Sequence, residues 1–224
     1  MKLRLQFLCM FALMGLVLMT PAFASYTGPW TAGTCSGALY CNDGSPGQTG
    51  NNINGNTDAW TINFGYWVSD SFVLGAGGTI TGVDFAVWEF PGDSMTSVDW
   101  AIGTAFGDNS LGSGTAATTD TFLGTNSYGY NIDEITFSFA GISLGAGTYY
   151  LTLQNAVVPS GDPVYWDENS GPSSAAESAV GTIPSEAFGI DGTNNKVPEP
   201  GAVVLFGSAL LLLGGTLRRR LLNR

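Results

Sequence analysis

Asp162, Asp167 and Glu168 bracket the run Val164-Tyr165-Trp166. Carboxylates beside aromatic rings suit a sugar ligand. The acids accept hydrogen bonds from hydroxyls, and a ring face stacks on the apolar face of a pyranose. The same carboxylates could serve as a glycosidase acid and base, which needs a set separation across a cleft. Trp166 also fits a core position. Trp67 and Trp88 each stand on the polar side of an apolar alternation, which makes them candidates for ligand stacking. Cover by the N-terminal leader would explain them equally well. Asp43, Asn52, Asn54, Asn56 and Asp58 place oxygen donors at short spacing, a pattern that could hold calcium. The glycine and terminal glutamate of an EF-hand loop are missing, and a polar Asn-rich turn fits the same residues.

Composition narrows the chemistry. Residues 25–195 contain 17 Asp and Glu and no Lys, Arg or His. Nothing there can neutralise a phosphate backbone, so nucleic acid is not an expected partner. Triads that need His, His-ligated zinc and lysine Schiff bases are excluded. No salt bridge can form within the segment. Self-repulsion of about −17 charges favours solubility but costs stability unless salt or cations intervene. No cofactor is expected, apart from calcium as an option. The expectation is a protein without catalytic activity.

Period-two alternation runs through the same segment, with no sustained 3.6-residue pattern. Trp60, Ile62, Phe64, Tyr66 and Val68 take every second position. So do Val83, Phe85 and Val87, then Val98, Trp100 and Ile102. Ile135, Phe137 and Phe139 form another run, and Tyr149, Leu151 and Leu153 another. Weaker candidates are 71–74, 121–124, 128–132, 164–166 and 187–190. Turn residues separate them, as in Gly75-Ala76-Gly77-Gly78 and Pro91-Gly92-Asp93. Short strands at this spacing predict an all-β fold, an antiparallel β-sandwich or jelly roll. The sandwich is expected over 57–191. Residues 25–56 read as an irregular leader, 169–186 as a long polar loop and 192–196 as a linker. Cys35 and Cys41 form an even pair. Their disulfide would close a small loop and contribute about 2 kcal/mol.

The two ends of the chain predict export. Lys2 and Arg4 precede an apolar stretch from Leu5 to Met19, and Ala22-Phe23-Ala24 follows. This is the pattern of a signal peptide over 1–24, cleaved after Ala24 to leave Ser25. The Sec machinery and signal peptidase are the expected partners. At the other end, residues 201–217 carry no charge and are expected to form a single transmembrane helix. Such a helix reaches about 25 Å, enough for a thin bilayer. Arg218, Arg219, Arg220 and Arg224 follow and favour the cytoplasmic side. Just before the helix stand Val197, Pro198, Glu199 and Pro200. The prolines bar helix there and keep the backbone extended, as a protease cleft requires.

This order of motif, apolar span and arginine cluster over 197–224 resembles the PEP-CTERM sorting domain. The resemblance implies recognition by exosortase, a membrane-embedded protease-transpeptidase of Gram-negative bacteria that make extracellular polysaccharide. Pro198, Glu199 and Pro200 would be the recognition residues. An inner-membrane intermediate with a periplasmic ectodomain would come first, and cell-surface or extracellular protein after processing. The expected function is that of a non-enzymatic surface or matrix protein in a polysaccharide-rich envelope. A carbohydrate-binding module is the alternative, and a carboxylate-based hydrolase ranks third.

Overall fold

The computed structural model describes residues 38–42, 53, 58–169 and 171–194. Every element in them is a strand, and every pairing is antiparallel. The expected signal peptide, Cys35, sorting motif and transmembrane helix lie outside the described residues.

The first sheet is built on a long strand, β4 (Gly78–Glu89). Along one edge it pairs with β8 (Asn131–Leu144), which in turn pairs with β7 (Thr119–Thr125). Its other edge is shared. β14 (Phe188–Asn194) takes positions 78–85, and β10 (Tyr165–Asn169) takes Val87 and Trp88. β1 (Ala38–Cys41) adds to β14, while β2 (Ala59–Thr61) and β13 (Ser185–Glu186) add to β10. The second sheet runs β12 (Gly181–Ile183), β11 (Ala175–Glu177), β3 (Trp67–Leu74), β9 (Gly147–Val157), β5 (Ser97–Gly103) and β6 (Gly112–Ala117).

The core lies between the sheets. From the first come Val83, Phe85, Val87, Ile135 and Trp166, and from the second Val68, Phe72, Ile102, Leu151 and Leu153. These are the alternating residues that the sequence pattern marks, and alternation places one set per strand on one face.

Four expectations are corrected. The alternation from Trp60 to Val68 is two strands, not one. A turn intervenes, with Phe64 at φ 55° and Gly65 at φ 86°, and Phe64 is exposed. The supposed loop 169–186 contains β11, β12 and β13. Ala175 and Glu186 in it are fully buried. Short strands of Ala, Ser and Glu carry no bulky alternation to reveal them. The leader contributes β1, whose Tyr40 packs on Phe188 with ring centroids 5.2 Å apart. Gly192 to Asn194 belong to β14, not to a linker.

Toward Trp88 the first sheet is buried on both faces, which a two-layer sandwich does not require, while Thr81 on the same outer face is exposed. Ile53, Ala86, Trp88, Ile132 and Ala187 form a second buried cluster, with Tyr130 and Tyr165 packed against it. Ala86 and Trp88 alternate with Phe85 and Val87, so they face away from the main core.

Candidate functional site

The side chains expected to bind sugar scatter between core and surface. Trp166 is fully buried. Its ring meets Phe85 at 5.9 Å and Phe188 at 5.5 Å, both edge to face, and its Nε1–H donates to the Ala187 carbonyl at 3.0 Å. Trp88 is buried in the second cluster and donates from Nε1 to Asp167 Oδ1 at 2.6 Å. Asp167 is fully buried too. These three side chains serve packing and cannot meet a ligand from solvent. Glu168 is half-buried and accepts from Trp60 Nε1–H at 3.0 Å. Tyr165 is half-buried beside Tyr130 at 5.8 Å, and Asp162 stands in the loop before β10. The expected constellation at 162–168 therefore does not form one binding face, because successive strand residues point to opposite sides.

Asp58, the calcium candidate that is described, is exposed, and its Oδ1 accepts from the Ala59 amide at 2.9 Å. Asp43, Asn52, Asn54 and Asn56 lie outside the described residues. Among the described residues no three acidic or cysteine side chains form a ready-made metal cage.

Trp67 is placed differently. It stands at the start of β3 on the face opposite Val68 and Phe72. Register aligns it with Gln154 on β9, then Asp99 on β5, then Thr115 on β6. Directly opposed residues share a face, so these four form one row across the outer surface of the second sheet. A shallow cleft of about 270 Å³ runs along the row. Asp99 accepts from the Thr115 hydroxyl, and from Asn155 Nδ2 at 2.8 Å. The row offers an aromatic face at one end and carboxylate, amide and hydroxyl groups along the rest.

The connection from Gly103 to Gly112 folds over this surface. Phe106 meets Tyr150 at 4.7 Å, and Gly107 lies against Trp67 at φ 70°. A Cβ at Gly107 would stand 3.3 Å from the Trp67 ring, so the close approach and the positive φ both favour glycine there. Asp108 holds the loop. It accepts from the Thr104 amide at 2.8 Å, the Ser110 hydroxyl at 2.7 Å and the Ser110 amide at 3.0 Å. Hydrogen bonds led by the Thr104 amide lower its carboxyl to about 2.

No protein-family model matches the chain, and no curated protein matches its sequence.

Sequence reasoning missed Asp99, Gln154 and Thr115, because the row joins four strands and register is a tertiary property. Asp99 between Val98 and Trp100 was the available signal: an acid on the solvent face of an apolar strand.

The acidic side chains also hold a surprise in their burial. Asp70, Glu89, Asp133, Asp167, Glu177 and Glu186 are all buried. With no Lys, Arg or His in residues 38–194, no basic side chain within this span compensates them. Asp70 on β3 faces the first sheet. It accepts from the Glu186 amide at 2.7 Å, the Ser173 hydroxyl at 2.8 Å and the Ser71 amide at 2.6 Å. Burial nevertheless dominates these hydrogen bonds and pushes its carboxyl up to about 7.

Proposed function

We propose that this chain is an exported, non-enzymatic surface or extracellular-matrix protein, sorted through a PEP-CTERM signal at residues 197–224. The observation that carries the reading is the order of Val197-Pro198-Glu199-Pro200, an uncharged span and Arg218-Arg219-Arg220. The signal peptide starts export, the span holds the precursor in the inner membrane, and exosortase releases the domain to a polysaccharide-rich surface. Two features of the described domain fit that role. It is an acidic all-β body with no basic residue from 38 to 194, which suits soluble life among hydrated polymers. Its exposed strands are rich in Thr, Ser and Gly. In the oxidising compartment Cys35 would pair with Cys41 and pin the leader to β1.

The test is the intact mass of the protein from its native host, with and without exosortase. The expected result is loss of the tail beyond about Pro200 only when the enzyme is present. Retention of Arg218 to Arg220 in both strains would refute the sorting reading and leave an ordinary single-span membrane protein.

A second reading, carbohydrate binding, is favoured by the row Trp67, Gln154, Asp99 and Thr115. A flat strand face with one aromatic and several fixed polar groups fits an extended glycan better than a small molecule. Trp67→Ala should lower glycan-array binding at least tenfold, about 1.4 kcal/mol, with the far-ultraviolet spectrum unchanged. Full binding by this variant would place any glycan site elsewhere.

A further inference from the structure

At one end of the sandwich three neighbouring strands of the first sheet bring acids to the same face. Register in β4 and β8 opposes Val87 to Asp133, and Glu89 to Asn131. Register in β7 and β8 opposes Asp120 to Ile135. Val87 and Ile135 face the main core, so Glu89, Asp133 and Asp120 project from that face as well. Glu89 and Asp133 are diagonal neighbours, as are Asp133 and Asp120. Diagonal pairs lie about 7–8 Å apart, so the three acids are not a ready-made cage and would have to close on an ion.

The connection from Phe90 to Thr96 closes over them. Met95 is buried there, its amide donates to Asp120 Oδ2 at 2.8 Å, and its carbonyl accepts from the Thr118 hydroxyl at 2.6 Å. Asp93 on the same connection accepts from the Ser160 hydroxyl at 2.8 Å.

Three oxygens of this group make no hydrogen bond of ordinary geometry: Glu89 Oε1 and Oε2, on which the Met95 backbone amide acts only weakly, and Asp133 Oδ2. All three are buried, in residues that are 0% and 2% exposed. An unmatched buried carboxylate oxygen is costly, and native proteins rarely tolerate three together. Burial, then the charges of Asp120, Asp133 and Asp93, push Glu89 up to about 8. Burial, then Asp120, push Asp133 up to about 7. No basic side chain in residues 38–194 can relieve them. Protons or a cation must do so.

We propose that Glu89 and Asp133, with Asp120 beside them, form a site for a divalent cation of calcium type. The donors are all hard oxygens, which excludes a thiophilic metal. Calcium takes six to eight oxygen ligands and completes its shell with carbonyls and water, so two or three carboxylates suffice. Magnesium demands a tighter octahedron and parts reluctantly with its own water, so a buried group of carboxylates suits it less. The site does not depend on the tail or on the glycan row. It answers the charge problem of the domain at the end of the first sheet where three acids share one face.

The test uses the full chain in detergent, stripped with a chelator and titrated with calcium chloride at pH 7.5. Wild type should bind one calcium per chain at this site. Calcium at about 100 times its dissociation constant should raise the unfolding midpoint by about 5–10 °C. Magnesium, or sodium chloride at equal ionic strength, should do clearly less. Glu89→Gln with Asp133→Asn should abolish the calcium shift. In chelator the same variant should unfold at a higher temperature than wild type, because the repulsion is gone. Glu186→Gln, in a different acidic group, should keep the calcium response in full. If the double variant does not fold, Glu89→Gln alone should bind calcium at least tenfold more weakly. A wild type that responds to calcium no more than to matched salt overturns the proposal. So does a calcium shift, or an affinity, that survives these substitutions undiminished.

Discussion

Glu186→Gln is expected to stabilise the domain at pH 8 by about 3 kcal/mol, the scale of an uncompensated buried charge, and to change little at pH 4. Glu186 is fully buried on β13, and neither of its carboxylate oxygens has a hydrogen-bond partner. Burial raises its carboxyl well above the usual range. The charges of Asp70, Asp167, Glu168 and Asp58 raise it further, with Asp70 the strongest of the four. Asp70 comes from β3 of the opposite sheet, Asp167 and Glu168 from the paired β10, and Asp58 from the chain just before β2. No basic group stands among them.

The sign follows from proton binding. A carboxyl raised on folding holds its proton in the native state at a pH where the unfolded chain has released it. Stability is therefore greatest below the unfolded value and falls as pH rises. For Asp70 the window runs from about 4 to about 7. For Glu186 it opens near the ordinary glutamate value and extends upward. Below it both states are protonated, and glutamine is equivalent to the neutral acid. Above it the native protein must hold a charge that glutamine lacks. Urea midpoints of wild type and variant at pH 4 and pH 8 check this. Wild type should lose stability between the two, and the variant should lose less. Equal slopes would show that Glu186 is solvated.

Trp166→Ala is expected to cost about 3–5 kcal/mol, a large share of the 5–15 kcal/mol typical of a domain. The ring is wholly buried between Phe85 and Phe188, edge to face with both. Its removal leaves a cavity and strips the Ala187 carbonyl of the indole donor. The melting midpoint should fall by roughly 10 °C or more. Denaturant unfolding measures the loss directly. The outcome also separates two roles for this residue. A ligand-stacking tryptophan would lose binding with little change in stability, whereas a buried one does the reverse. Trp67→Ala is the complementary case, expected to lose binding while the sheet persists.

Much of the fold was legible before any coordinates. Alternation at Val83, Phe85 and Val87, at Val98, Trp100 and Ile102, and at Tyr149, Leu151 and Leu153 marks three strands correctly. It also marks which face of each meets the core. Branched and aromatic residues report such positions because burial favours them and the strand period is two. The alternation misled at Phe64 and Tyr66, where a turn with positive φ breaks the run without a change of pattern. It was silent at 175–186, where small residues and a buried glutamate pair with neighbours through the backbone.

The sequence by itself determined the all-β class, the charge and the chemistry that charge excludes, because these depend on composition and local period. The export and sorting reading rests on the sequence alone as well. Only tertiary structure decided that the outer face of β4 would be covered at Ala86 and Trp88, so that Trp88 is packing, and that the outer face of β3 at Trp67 would stay at the surface. Only register could set Trp67, Gln154, Asp99 and Thr115 in one row, or turn Glu89, Asp133 and Asp120 toward one another. The physical reason is common to both. A strand fixes where its side chains point, but the neighbour each one meets depends on segments distant in the chain and on how the sheets pack.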